Sequence, residues 1–168
     1  VVPGGGPYAD AVRAAQARWR FSDAAAHAMA LQAMGIYGAQ LAAMEPALQV
    51  GHAVDASGSR RGATLWCPGP EAPAMLRGLP EDWSLSADSI ALRVARTCGA
   101  KALLLLKSAP PEPGRRGVDE LAAVGYVDAF FPTLLRREPL PCYWLAAADG
   151  PPAVPADEAL ALQRIAPT

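Results

Sequence analysis

The stretch of sequence that decides the fold class is residues 86–108, SADSIALRVARTCGAKALLLLKS. Two serines and an acid open an amphipathic helix, which Gly99 closes. The continuous apolar run 102–106 follows, and such a run is typical of a strand that crossover helices bury on both faces, so the sheet is predicted to be parallel here. This strand delivers Lys107 to its carboxyl end. Ligands of open parallel sheets bind at that edge, so Lys107 is expected where a phosphate would be held.

Patterns on both sides of this segment predict further helices and strands of an α/β domain. The chain opens on Val1-Val2-Pro3-Gly4-Gly5-Gly6, which reads as a strand running into a glycine turn, so we expect residues to be missing before Val1. Four further helices are expected, at about 7–18, 22–45, 118–124 and 127–137. The first should turn Ala11, Val12 and Ala15 toward the core, and the last should be interrupted near Pro132. Strands are expected at 48–53, 62–67, 142–146 and 160–165.

The second helix carries an apolar stripe that includes a histidine. Ser22 is its expected N-cap. The stripe residues recur every three or four positions: His27, Ala30, Met34, Tyr37, Leu41 and Met44. A histidine on such a face is either a core or interface residue or a ligand contact, and the sequence leaves both readings open.

Composition narrows the class of partner. The 168 residues suit one domain, 52% of them are hydrophobic, and the net charge of −1 gives no electrostatic footprint for nucleic acid or an anionic membrane. No apolar run approaches the ~20 residues that span a bilayer. The three cysteines include no CxxC pair and no spacing typical of metal ligands. We therefore expect reduced thiols and a cytoplasmic location. Cys98 is expected to be buried on the apolar face of its helix.

Three features near predicted strand ends could bind phosphate. The glycine turn lets backbone amides approach an anion where a helix begins. Asp88 could orient a cation or the substrate while Ser86 and Ser89 meet a phosphate, and Lys107 would supply the positive charge that phosphoryl transfer requires. Each feature has a structural alternative: a plain turn, a helix cap and a solvated lysine.

These segments resemble the amino-acid kinase superfamily, which includes acetylglutamate, uridylate and isopentenyl phosphate kinases. Residues 1–6 are similar to its second glycine motif, 86–91 to its acid-bearing helix start, and 103–108 to the strand that enters its nucleotide loop. Within the superfamily, FSDAAAHAMALQAM at 21–34, with Trp83 shortly before residue 86, most resembles the kinases of aminomethyl-furanmethanol phosphate. Those kinases make a diphosphate in methanofuran-type cofactor synthesis in methanogens and methylotrophic bacteria.

The resemblance implies a three-layer α/β/α sandwich with a mainly parallel sheet. It implies one domain, residues 1–83 on the acceptor side and 84–168 on the nucleotide side, and transfer of the ATP γ-phosphoryl group to a small phosphate acceptor with Mg²⁺. A homo-oligomer is expected as well. The implied site residues are Asp88 and Lys107 for catalysis, Gly4, Gly5, Gly6, Ser86, Ser89 and Ser108 for the nucleotide, and His27 for the substrate, with no metal ligand assigned.

Two departures from the family pattern leave alternatives open. No Lys-x-Gly-Gly-Ser strand precedes Val1, and Ala109-Pro110-Pro111 replaces the usual Val-Asp-Gly after the nucleotide strand. The chain is therefore either truncated or has lost part of its catalytic apparatus. A non-catalytic nucleotide-binding or subunit protein, or a kinase of another acceptor such as a nucleoside monophosphate, are the alternative functions.

Overall fold

The computed structural model describes residues 1–54, 62–69, 72–110, 117–146 and 163–165, and these form a mixed α/β fold. The helices are α1 (Gly6–Trp19), α2 (Asp23–Met44), α3 (Ala72–Met75), α4 (Ala87–Thr97), α5 (Val118–Ala123) and α6 (Phe131–Arg137). The strands are β1 (Leu48–Gly51), β2 (Ala63–Trp66), β3 (Leu103–Lys107), β4 (Cys142–Ala146) and β5 (Gln163–Arg164). The helices and strands predicted from the sequence are thus present with shifted bounds, and the short α3 was not predicted. Residues 160–162 of the last predicted strand lie outside the described residues.

The described strands form two sheets with mainly parallel pairing. β1 pairs with β2 in parallel, with Leu48 opposite Ala63. β3 pairs with β4 in parallel, with Leu103 opposite Cys142, and β5 joins β4 in the antiparallel direction. The parallel pairing predicted for residues 102–106 is therefore confirmed.

The first residue of the chain lies beside β2 in the hydrogen-bonding pattern of parallel strands. The Val1 nitrogen donates to the Thr64 carbonyl at 2.7 Å, and the Trp66 amide donates to the Val1 carbonyl at 2.7 Å. β1 occupies the other edge of β2, where the Cys67 amide donates to Gly51. The glycine turn consequently follows an extended segment and leads directly into α1, which is the geometry that the opening residues predict.

Helix α4 lies between two hydrophobic clusters and joins them. Its Leu92 packs in one cluster with Phe131 and Leu134 of α6. Its Ile90 and Val94 pack in the other, which also holds residues of α2, β2 and the segment before α4. Because both sides of α4 are covered, the start of this helix is held in place relative to β3 and to α2.

Close approach of α2 to the end of β2 depends on a glycine. A Cβ atom added at Gly38 would overlap the Cys67 sulfur. The absence of a side chain at Gly38 therefore lets the helix backbone contact the buried thiol.

Several sequence predictions are wrong in detail, and most of them concern burial, because a local pattern does not report which elements cover a side chain. Leu104 and Leu106 are 44% and 68% exposed, so the described helices cover only one face of β3, although both faces are apolar. Pro132 lies at the start of α6 and does not interrupt a helix, since its missing N–H costs nothing in a first turn. Ala11 and Met44 are exposed, and Cys98 is only half-buried.

Candidate functional site

A cleft of about 530 Å³ lies where the glycine turn, α1, α2, the start of α4 and the end of β3 meet. Six of the residues predicted for the site line it: Gly5, Gly6, His27, Ser86, Lys107 and Ser108. Gly4, Asp88 and Ser89 do not line it. The fold therefore brings predicted site residues from the beginning and from the middle of the sequence to one cavity.

The glycine turn has a backbone that a larger residue would strain. Gly6 has φ of +50°, in the left-handed region, and an added Cβ would lie 3.0 Å from the Tyr37 ring of α2. Gly5 caps α1, and a Cβ there would overlap Ala9. The turn thus presents bare backbone and the first amides of α1 to the cleft, as binding of an oxyanion requires.

Lys107 and Asp88 form a buried ion pair at the edge of the cleft. The Lys107 Nζ donates to both carboxylate oxygens of Asp88 at 2.8 Å, and the two side chains are only 19% and 17% exposed. Burial raises the pKa of Asp88, and the nearby lysine opposes that shift without reversing it. The lysine charge is therefore largely neutralised by its partner, although Lys107 lines the cleft.

Asp128, which the sequence analysis did not identify, organises the start of α4. Its carboxylate accepts hydrogen bonds from the backbone N–H of Ser86, Ser89 and Phe131, at 2.9–3.0 Å. Its own N–H donates to Asp88. The Asp128 carboxylate thus accepts from the first turns of both α4 and α6, while its backbone N–H contacts the ion pair. One sequence signal could have identified Asp128 as a capping residue. It lies three residues before Phe131, where a helix with proline in its first turn begins.

The two serines of α4 donate to this same carboxylate. The hydroxyl of Ser86 lies 3.2 Å from Asp128 Oδ2, and that of Ser89, which is fully buried, lies 2.6 Å from Oδ1. Ser86 occupies the predicted N-cap position, but its side chain does not cap the helix; Asp128 does so in its place. Their contact with a nucleotide stays a prediction.

An arginine and a tryptophan that the sequence analysis did not assign to the site also line the cleft. The Arg13 guanidinium carbon lies 4.3 Å from the centroid of the Trp83 ring, and Nη1 donates to Asp10 at 2.9 Å. The Trp83 Nε1 donates to Gln16 at 2.6 Å. The resemblance pointed to Trp83, but nothing local in the sequence pairs it with α1.

His27 of α2 is half-buried in the same cleft. Burial lowers the pKa of His27, and the nearby carboxylates of Glu81 and Asp82 oppose that shift only in part. The imidazole is consequently uncharged at neutral pH, when it can accept a hydrogen bond from one nitrogen and donate from the other. His27 therefore lines the cleft and is not fully buried in the core, and its contact with a substrate stays a prediction.

The described carboxylates near the cleft do not make a metal cage. Both oxygens of Asp88 accept from Lys107, and Asp128 is engaged by its amide and hydroxyl donors. Among the described residues no group of three or more His, Cys, Asp or Glu side chains could hold a metal ion.

Comparison with known proteins adds no family to these observations. No protein-family model matches the chain, and no curated protein matches it significantly. Within the part of the chain that the structure describes, no helix combines the length and apolar character needed to cross a bilayer.

Proposed function

We propose that this chain is an ATP-dependent kinase of the amino-acid kinase type that transfers the γ-phosphoryl group to a small phosphate acceptor. The observation that carries the proposal is the shared cleft: the glycine turn at the start of α1 and Lys107 at the end of β3 line one cavity of about 530 Å³. Backbone amides, a helix start and a cation are the groups that hold a transferring phosphoryl. The acceptor class proposed is an aminomethyl-furanmethanol phosphate of methanofuran-type synthesis.

In this proposal the chain's own groups position the reactants and stabilise charge. The glycine amides bind the oxygens of the transferring group, and Lys107, oriented by Asp88, lies beside the nucleotide phosphates. Uncharged His27 donates to or accepts from the acceptor. Mg²⁺, when bound with ATP, supplies additional charge neutralisation.

Steady-state release of ADP tests the proposal. The assay uses ATP, Mg²⁺ and an aminomethyl-furanmethanol phosphate acceptor, with uridine and cytidine monophosphates as alternative acceptors. Lys107→Ala is expected to lower kcat/KM about 100-fold or more, as removal of a charge-stabilising donor does. Lys101→Ala is the matched control: it removes an exposed lysine six residues earlier and should change kcat/KM less than about threefold. Release of ADP at the no-acceptor rate with all three acceptors would contradict the proposal.

A second candidate function, nucleotide binding without turnover, has support from the ion pair. Both Lys107 contacts go to Asp88, and the hydroxyls of Ser86 and Ser89 both point at Asp128, so these groups already satisfy one another. Calorimetry with MgATP separates the two functions. Binding in the micromolar range with no ADP release supports the second function, and acceptor-dependent ADP release excludes it.

The three-layer arrangement and a cytoplasmic location belong to the same proposal. Support for a further helical layer comes from Leu104 and Leu106, whose apolar face needs a cover that the described residues do not supply. Support for a reducing compartment comes from Cys67, Cys98 and Cys142, which are all free thiols.

A homo-oligomer that packs through α2 is proposed as well. The 22 residues of α2 include one acidic side chain, Asp23, and no lysine or arginine, and Met29 and Ile36 are 40% and 53% exposed on its outer face. An uncharged apolar face of this length is typical of a helix that is covered. Light scattering should show that Ile36→Glu dissociates the oligomer and that Ala14→Glu, on exposed α1, does not. A monomeric wild-type protein would contradict this part.

A further inference from the structure

We propose that Arg13 is the residue that binds the phosphate monoester of the acceptor, with Trp83 holding its guanidinium in place. This inference rests on the proposed kinase function and names the anion-binding group of its acceptor side. Arg13 lies in the second turn of α1, and both it and Trp83 line the cleft with the glycine turn and Lys107.

The direction of the arginine side chain brings its charge toward the glycine turn. Side chains on a helix lean toward its N-terminus. The ion pair from Arg13 Nη1 to Asp10 Oδ1, at 2.9 Å, shows that the guanidinium lies at the level of the preceding turn. Gly6 is only seven residues before Arg13, about 10 Å along the helix axis at 1.5 Å per residue, so the charge lies within one small molecule's length of the turn.

The guanidinium contacts a tryptophan that is itself hydrogen-bonded to α1, although half of the Arg13 side chain is exposed. The guanidinium carbon lies 4.3 Å from the centre of the Trp83 ring. The Trp83 indole donates to Gln16 at 2.6 Å, and the Gln16 amide donates to Asp23 at 2.7 Å. This chain of contacts joins α1, α2 and the segment before α4. A cation stacked in this way loses little side-chain entropy when it binds an oxyanion.

Both cations of the cleft are paired with a carboxylate, Arg13 with Asp10 and Lys107 with Asp88, but Arg13 has more donors left for an anionic acceptor. Among the described residues that line the cleft, Arg13 and Lys107 are the permanently charged bases. Lys107 gives its contacts to both oxygens of Asp88. Arg13 has five donors and uses one nitrogen for Asp10, and its other guanidinium nitrogens make no hydrogen bond to a described residue. The planar fork formed by those nitrogens matches a phosphate.

Calorimetry with phenyl phosphate and with inorganic phosphate, in the absence of ATP, tests this inference. Phenyl phosphate presents a monoester on a ring, whereas inorganic phosphate presents the anion alone. Arg13→Gln is expected to weaken binding of both about 10- to 100-fold, the cost of losing hydrogen bonds to a charged group. Arg13→Lys keeps the charge but loses the planar fork and the stacking on Trp83, so its affinity for both ligands should lie between those of the wild type and Arg13→Gln.

Arg18→Gln is the matched control. Arg18 also lies on α1 over a tryptophan, with its guanidinium carbon 5.0 Å from the Trp19 ring, but it does not line the cleft. Its replacement removes the same charge and should leave phosphate affinity within about twofold. A fluorescence readout separates a direct role from a general charge effect: phenyl phosphate should change the emission of the wild type and not that of Trp83→Phe.

The outcomes separate this inference from the proposed function. Weaker binding in Arg13→Gln but not in Arg18→Gln supports the inference. Equal affinities for the wild type and Arg13→Gln, or no phosphate binding by the wild type, overturn it. MgATP titrations are measured in parallel. Normal ATP turnover that Arg13→Gln leaves unchanged contradicts only the inference, while Arg13-dependent phosphate binding without any ATP binding contradicts only the kinase function.

Discussion

Replacing Asp128 is expected to cost more stability than replacing any surface carboxylate, because one side chain satisfies donors from two helices. It accepts five hydrogen bonds at 2.6–3.2 Å, three from backbone N–H groups and two from serine hydroxyls. Asp128→Ala leaves these donors without their partner, and one of them, the Ser89 hydroxyl, belongs to a residue with no exposed surface.

The magnitude follows from the cost of unsatisfied buried donors. Each such group costs about 1–3 kcal/mol, and water can replace the carboxylate at the more accessible ones. We therefore expect Asp128→Ala to lower the free energy of unfolding by about 3–5 kcal/mol, the range for breaking a buried charged network. Asp128→Asn keeps one accepting oxygen but turns an NH₂ group toward donors, so about 1–3 kcal/mol is expected.

Urea unfolding followed by far-ultraviolet circular dichroism measures both changes. The milder Asn variant keeps the test informative, since domains are stable by only about 5–15 kcal/mol and the Ala variant could be largely unfolded. Asp119→Asn is the matched control on neighbouring α5. Asp119 pairs with Arg136 at 3.0 Å with both side chains about half exposed, and a change below about 1 kcal/mol is expected. The reasoning fails if Asp128→Asn and Asp119→Asn have the same free energy of unfolding.

Three further predictions concern packing, pH and thiol reactivity. Gly38→Ala should lower the free energy of unfolding by about 1–3 kcal/mol because its methyl group overlaps the Cys67 sulfur. Gly35→Ala on the same helix, where a Cβ meets open space, should raise the free energy of unfolding by about 0.5–1 kcal/mol. Urea unfolding of the two variants checks the sign of each change. Burial lowers the pKa of His27, so as the pH falls the unfolded chain takes up a proton at this histidine before the folded chain does. The free energy of unfolding should therefore fall as the pH drops below about 6.5. A titration of the histidine C–H resonance that gave a pKa at or above 6.5 would contradict this prediction. Cys98 should react first with a disulfide reagent at pH 8 and the two buried thiols far more slowly; equal rates for all three would refute the burial.

Local sequence patterns were sufficient for most of the helices and strands and for naming candidate site residues. Ser22 caps α2 as predicted, with its hydroxyl oxygen accepting from Ala25 N–H. The glycine turn and Lys107 were identified from residue type and from position relative to predicted elements, and His27 through the family resemblance; the structure brings them into one cleft, and their roles stay predictions. The caps and helices are predictable because caps, turns and amphipathic periods depend on residues a few positions apart.

The groups that organise the site could not be identified in the same way. Asp128 binds Ser86 across 42 residues, and Trp83 binds Gln16 across 67 residues. Neither partner carries a local mark of the other, because a lone aspartate or glutamine has many equally suitable positions in a sequence. The exposure of Leu106 was missed for a related reason: an apolar run records which side chains avoid water but not which surfaces arrive to cover them.

The amino-acid sequence by itself therefore determined the α/β class, the parallel strand, and the glycine turn and lysine as candidate phosphate ligands. Only the tertiary structure decided that Lys107 is paired with Asp88, that Asp128 caps the helix start, and that Arg13 joins the cleft. The physical reason is that backbone conformation is set largely by neighbouring residues, whereas the charge and hydrogen bonding of a site are set by side chains that folding brings together from distant segments.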